Sequence, residues 1–324
     1  MANIAITEIC NLSCPYCFAN EFVNKKGIEI TIGDFQKALT FSLSSKQSKG
    51  HLGIIGGEPT IHSKFNEILS LLLHDNRVRE ATIFTNGIRL DQSFDLISDD
   101  KFALLINLNS PKITGESHYS KIINNLDVLI NEYNKKHITM GINIYKTDQN
   151  IDYFIKTLNK FKLKSARLSI TVENTIDKGT AFSRLISFKD IVYQLYVRLS
   201  YLGIQVIFDC NKLPNCAWSE TEKKKITLFQ ANNHNERQGI NLKYDLCNPV
   251  IDILPDLKAI RCFGLSKHSK VNISDFTNLD ELTEYYTKNF DKPLSEIAST
   301  YECIKCNMFI DHQCYGGCLL NKLI

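Results

Sequence analysis

Cys10-Asn11-Leu12-Ser13-Cys14-Pro15-Tyr16-Cys17-Phe18 places three thiols on one short stretch, with three and then two residues between them. An iron–sulfur cluster is held by cysteine thiolates, and a cubane given three of them keeps one iron open to a small molecule. A zinc loop lacking its fourth ligand, or buried thiols, would use the same residues without that reactivity. The stretch alone leaves these alternatives open, so its surroundings decide.

Upstream, Asn3 to Thr7 reads as a strand running into the cysteine loop. Downstream, Thr31 looks like a helix cap, with Phe35, Leu39 and Leu43 forming an apolar stripe that ends near Gly50. Further strands are expected at His51 to Ile55, Ala81 to Thr85, Ala103 to Asn107, Ile138 to Tyr145, Arg167 to Val172 and Ile204 to Phe208. Helices are expected between them: a face of Phe65, Ile68, Leu69 and Leu72, then Ile122 to Tyr133 and Ile151 to Phe161. The last begins near Phe188, with Ser187 as its cap and Gly203 just past its end. Repeating strand–helix units define an α/β fold: a parallel sheet with helical crossovers, expected as a partial, laterally open (β/α)6 barrel. Chemistry in such barrels sits in loops at the C-terminal ends of the strands, and the cysteine loop follows strand one.

Other strand ends carry polar or glycine-rich turns. The second closes in Gly56-Gly57-Glu58-Pro59, the third in Thr85-Asn86-Gly87, the fourth in Asn107-Leu108-Asn109-Ser110. Each is a good turn sequence on its own. Taken with the three-cysteine loop, they resemble the radical SAM superfamily. The resemblance implies a [4Fe–4S] cluster on Cys10, Cys14 and Cys17, with S-adenosyl-L-methionine chelating the open iron. It also implies roles for neighbouring residues. Gly56, Gly57, Glu58 and Pro59 would hold the methionine amino group, and Asn107, Asn109 and Ser110 the ribose hydroxyls. Tyr16 and Phe18 would contact the adenine. Arg167 could face the methionine carboxylate, or be a solvated edge charge.

Past Phe208 the pattern breaks. Cys210 and Cys216 bracket a proline-containing loop, and Lys223-Lys224-Lys225 with the Asn-rich 231–239 reads as a solvated connector. Two β-rich runs meet at Pro255-Asp256-Leu257-Lys258, forming a hairpin with Cys247 and Cys262 at its ends. An amphipathic segment, Leu279 to Phe290, leads to Cys303, Cys306, Cys314 and Cys318. Close-spaced cysteine pairs are metal signals, with zinc the competitor to iron. The tail is similar to SPASM and twitch auxiliary-cluster domains. It departs from the SPASM pattern in having Leu257 at a glycine position, a seven-residue gap before Cys314 and no seventh cysteine. The resemblance implies one cluster sharing Cys247, Cys262 and Cys318 and another sharing Cys303, Cys306 and Cys314. Cys210 and Cys216 would each supply a missing fourth ligand. On the smaller twitch pattern there would be a single auxiliary cluster from Cys247, Cys262, Cys303 and Cys306. Domains are expected at 1–209 and 210–324.

Length and composition agree with this reading. A chain of 324 residues with 44% hydrophobic content can bury a large core. A net charge of +3 argues for neither nucleic acid nor an anionic membrane. No apolar run approaches the ~20 residues of a membrane span. Eleven cysteines without a signal peptide point to metal ligation in the reducing cytoplasm. The expected activity is cleavage of S-adenosylmethionine to a 5′-deoxyadenosyl radical that abstracts hydrogen from a substrate. By resemblance that substrate is a ribosomally made peptide, crosslinked, oxidised or epimerised. A dehydrogenase or epimerase of a sugar or aminocyclitol is the other reading. Expected partners are an external one-electron donor such as flavodoxin or ferredoxin and a separate leader-peptide-binding protein, none being expected ahead of strand one. No residue is singled out as the catalytic acid, base or hydrogen donor.

Overall fold

The computed structural model describes residues 2–24, 27–171, 178–232, 240, 242, 247 and 250–322. It divides into two compact units, 1–139 with 249–287 and 140–248 with 288–324. This division differs from the expected break after residue 209, because the hairpin joins the first unit while the tail cysteine pairs lie in the second.

In the first unit the strands are β1 (Ala2–Ala5), β2 (His51–Ile55), β3 (Glu80–Thr85) and β4 (Phe102–Asn107). They continue, in chain order, with part of β5 (Ile138–Ile144) at the boundary, and later with β8 (Ile251–Ile253), β9 (Lys258–Ile260) and β10 (Val271–Asn272). Their order is β10-β9-β8-β1-β2-β3-β4. β1 to β4 pair in parallel, as strand–helix repeats require, and β3 and β4 alternate buried and half-buried side chains with the two-residue period of a strand. The hairpin is present: β8 and β9 pair antiparallel, and β8 lies parallel beside β1. Asn3 secures that join, its Nδ2 donating to Asp252 Oδ1 at 2.8 Å.

Helices cover the sheet where their apolar periodicity predicts. Thr31 caps helix Ile32–Ser42 by accepting from the Asp34 N–H at 3.1 Å. Phe65, Ile68, Leu69 and Leu72 form the buried stripe of Phe65–His74, each worth about 1.5–3 kcal/mol by apolar transfer as an upper bound.

The second unit holds the parallel pairs of β5 with β6 (Ser165–Ile170) and of β6 with β7 (Gln205–Phe208). Val172, the expected end of β6, lies outside the described residues, as do 233–239 of the Asn-rich stretch. Two local expectations change. Ser187 ends a helix of its own, Lys178–Ser187, and its hydroxyl donates back to Arg184 O at 2.7 Å. The next helix, Lys189–Tyr201, starts without a side-chain cap, while Gly203 follows its end at φ +66. The lysine run falls inside helix Glu220–Asn232, where Lys223 pairs with Glu220 at 2.8 Å.

Candidate active site

The pairing of β1 with β2 does not stop at the strand ends. Ile6 N donates to Ile55 O at 2.9 Å, Gly57 N to Thr7 O at 2.8 Å and Glu58 N to Ile9 O at 2.8 Å. The Gly-Gly-Glu turn is thus laid against the backbone that leads into Cys10. A Cβ on Gly57 would stand 2.2 Å from Ile9 O, and one on Gly56 2.5 Å from Thr7 O. Only glycine permits so close an approach of two backbones.

Glu58 locks this arrangement. The residue is 1% exposed, and its Oε1 accepts from Thr60 N at 3.2 Å, Thr60 Oγ1 at 2.7 Å and Thr85 Oγ1 at 2.6 Å. Its Oε2 accepts from Asn86 N at 2.7 Å. Burial pushes the carboxyl pKa up, and these four donors pull the other way. The carboxylate ties the ends of β2 and β3 together, so in this family-like turn the backbone, rather than the Glu58 side chain, is what remains for a ligand. Pro59 opens the short turn Pro59–Ile61 that Glu58 caps.

Asparagines then clamp the cysteine loop. Asn24 holds Cys10 in both directions, accepting its N–H at 2.8 Å and donating to its carbonyl at 3.1 Å. Asn86 Nδ2 donates to Asn11 Oδ1 at 2.7 Å. Asn109 accepts a short bond from the Tyr16 hydroxyl and gives its Nδ2 to Cys14 Sγ at 3.4 Å. Leu12 N is 3.4 Å from Cys10 Sγ. Burial, opposed by that N–H and reinforced by Glu58, Cys14 and Cys17, pushes the Cys10 thiol up to about 11. Burial likewise raises Cys14, against hydrogen bonds from Tyr16 and Asn109, and Cys17, against the Ala19 N–H.

Three half-buried thiols in one loop, each with an N–H donor to its sulfur, fit a cluster with three protein ligands and one open iron. Among the described residues, no three His, Cys, Asp or Glu side chains are gathered around one point in metal-holding geometry, so the thiols stand as neighbours.

The remaining expected residues are placed as follows. Phe18 is 52% exposed and meets Phe263 edge-on at 5.2 Å. Asn107 ends β4 half-buried, and Ser110 precedes helix Pro111–Thr114, accepting through its carbonyl from Ile113 and Thr114. Arg167 belongs to the second unit. It is buried and bonds Asp209 Oδ2 through Nε at 2.9 Å and also through Nη2, so it is no solvated edge charge. Asn11, Asn24, Thr85 and Asn86 were not among the expected site residues. Asn24 has one sequence signal, its place in a short polar loop, and its φ of +58 suits asparagine better than most residues.

Among the tail cysteines, Cys210 follows β7 and is exposed, its Sγ 3.9 Å from Asp209 Oδ1. Cys216 lies in the turn Asn215–Ala217. Cys262 opens the turn Phe263–Leu265 after β9, in the first unit, whereas Cys247 and Cys318 fall in the second. Cys303 sits in the short helix Tyr301–Ile304, Cys306 opens Asn307–Ile310, and Cys314 follows it.

A parallel α/β sheet with a braced three-cysteine loop at the end of its first strand defines the class. Residues 4–160 match the Radical SAM superfamily and form a radical SAM domain. In sequence this stretch is similar to GTP 3′,8-cyclase of Actinobacillus pleuropneumoniae, 26% identical over 133 residues, which are 38% of each chain. It is also similar to 7,8-dihydro-6-hydroxymethylpterin dimethyltransferase of Methanocaldococcus jannaschii, 33% identical over 28% of this chain and 18% of that one. The match thus spans about two fifths or less of these curated relatives. In fold, 99% of the chain superposes on 73% of Streptococcus suis SuiB bound to S-adenosylmethionine, at TM-score 0.65 and 16% identity. It covers 98% of itself and 88% of anSMEcpe with bound AdoMet, at TM-score 0.65 and 19% identity. The resemblance therefore takes in the cysteine-rich tail as well as the radical SAM domain.

Proposed function

We propose that this chain reductively cleaves S-adenosylmethionine and uses the resulting radical to modify a peptide. The observation that carries the first half is the Cys10–Cys17 loop, held by Gly57, Asn24, Asn86 and Asn109 from surrounding segments. With a [4Fe–4S] cluster and S-adenosylmethionine bound, the chemistry supplied is one-electron cleavage of the sulfonium to methionine and a 5′-deoxyadenosyl radical.

The chain's own residues prepare that chemistry. Cys10, Cys14 and Cys17 would hold the cluster through three thiolates, which leaves one iron for S-adenosylmethionine. Tyr16 and Asn109 fix the loop and give Cys14 an N–H donor, which tunes a cluster's potential. The second turn, with its side chain consumed by bracing, offers backbone to the methionine amino group. Phe18, exposed beside Phe263, offers an aromatic face to adenine. An external one-electron donor of the flavodoxin or ferredoxin type supplies the electron, in a reducing cytoplasm suited to so many thiols. Among the described residues no helix is long and apolar enough to cross a membrane.

The peptide half rests on whole-chain likeness of fold. SuiB has been solved with its precursor peptide SuiA, and anSMEcpe with the Cp18Cys peptide. Recognition of such a substrate would fall to this chain or to a separate leader-peptide-binding protein. The test is to incubate the anaerobically reconstituted protein with S-adenosylmethionine, a reductant and the short proteins encoded beside its gene, and to weigh those proteins. A mass change that needs S-adenosylmethionine supports a peptide substrate. Turnover confined to sugars or other small metabolites would overturn it.

A further inference from the structure

The strands of the second unit carry one polar face. Asn143 on β5 stands opposite Ser169 on β6, and Arg167 on β6 stands opposite Ile207 on β7. The β6–β7 pairing runs one residue further, with Asp209 N donating to Leu168 O at 2.9 Å, which brings Asp209 level with Ser169. Asn143, Ser169 and Asp209 thus form a row across three strands, at the C-terminal strand ends where such folds keep their chemistry. Side chains alternate along a strand, so the row faces away from Leu168 and Phe208. The Phe208 side is the one that helix Lys189–Tyr201 covers, with the rings of Phe208 and Tyr196 6.2 Å apart.

Asn143 is 7% exposed, yet its Oδ1 has no hydrogen-bond partner among the described residues. A buried amide left in that state costs stability, and an apolar side chain would serve a strand core better. The strand end itself is secured by another residue. Gln149 Nε2 donates to Asn143 O at 3.0 Å, and Gln149 Oε1 accepts from Tyr145 N at 3.1 Å. At the other end of the row, buried Arg167 places both Nε and Nη2 on Asp209 Oδ2. Asp209 Oδ1 takes a long 3.9 Å contact from Cys210 Sγ and keeps a lone pair for a further donor. The Asp209 side chain is 44% exposed, so the row is buried at Asn143 and opens to solvent at Asp209.

We infer that this row binds the substrate, with Asn143 and Asp209 hydrogen-bonding amide groups of an extended peptide segment. The inference rests on the peptide reading and names where the second unit would take the substrate. An asparagine amide both donates and accepts, the complement of a peptide group, which does the same. Arg167 and Asp209 are neutral as a pair, so the row selects by hydrogen bonds rather than by charge. Asn143 and Asp209 lie two strands apart, roughly 10 Å by ordinary strand spacing. An extended chain covers that span in about three residues, and it exceeds one sugar ring. Arg167 is then the positioning residue that aims the Asp209 carboxylate.

The experiment uses the full chain, reconstituted anaerobically, native and as Asn143→Leu. Each is titrated with fluorescently labelled copies of the short proteins encoded beside the gene and, separately, with S-adenosylmethionine. Leucine removes the orphaned amide at similar volume, so the urea midpoint should not fall. The Kd for the short protein should rise about tenfold, as for the loss of a hydrogen bond or two. The Kd for S-adenosylmethionine and the 5′-deoxyadenosine formed without peptide should stay at their native values. An unchanged Kd for a short protein that the native chain binds overturns the site alone. Weakened S-adenosylmethionine binding also overturns it, by giving the row to the cofactor. Turnover of a sugar or aminocyclitol that Asn143→Leu abolishes overturns the amide assignment in favour of a polyol. A native protein that forms 5′-deoxyadenosine but binds none of the short proteins fails the peptide reading itself, and the site with it. Should Asn143→Leu lose its urea transition, Ser169→Val, which puts two methyls in the middle of the row, is judged by the same outcomes.

Discussion

Gly57 and Glu58 do their work on the protein's own backbone. Because a Cβ on Gly57 would meet Ile9 O at 2.2 Å, Gly57→Val must push the cysteine loop aside, an overpacking expected to cost about 1–3 kcal/mol. Iron content and S-adenosylmethionine cleavage should then fall together. Full iron with weakened S-adenosylmethionine binding would instead place the glycine against the ligand. Glu58→Gln keeps the shape but turns an NH₂ toward donors, stranding at least one of them in the interior. A loss of about 1–3 kcal/mol in urea unfolding is expected, and an unchanged midpoint would contradict the brace. The thiols were legible because their chemistry depends on spacing. The clamps were not: Asn24 and Asn86 are ordinary turn residues until the fold brings their amides to the loop, and Asn109, expected on a ribose, reaches Cys14.

Leu257 shows how an element can carry strain that its sequence only hints at. It sits in the turn between β8 and β9 at φ +61, a conformation that disfavours any residue with a Cβ. Leu257→Gly should therefore be more stable than Leu257→Ala by about 1 kcal/mol, since both delete the side chain and only glycine relieves the backbone. Equal midpoints in thermal unfolding would show that the turn relaxes. The strands themselves were readable to within a few residues because apolar runs and turn signals coincide, as at His51–Ile55. Helix Lys178–Ser187 was missed, since it runs almost straight into the next helix and Ser187 resembles a cap. The docking of β8 on β1 was equally hidden, because pairing across nearly 250 residues leaves no local trace.

For the whole molecule, the cysteines outnumber what one cluster needs: eleven, of which three belong to the opening loop. The three thiols of the opening loop lie in the first unit with Cys262, and the other seven lie in the second. Cysteine spacing alone could not place the tail thiols in the fold: Cys216 sits in a turn whose Asn215 reaches Met308, nearly a hundred residues away in sequence. We propose that the Cys10–Cys17 loop makes S-adenosylmethionine a radical source. Its most direct measurement is 5′-deoxyadenosine formed by the anaerobically reconstituted protein with a strong reductant, quantified beside a Cys10→Ala, Cys14→Ala, Cys17→Ala variant. Reductant-dependent 5′-deoxyadenosine from the native protein, reduced to background in the variant, is the predicted result. Equal yields from the two, or none from a native protein that carries its full iron, would show that the loop is not the radical source.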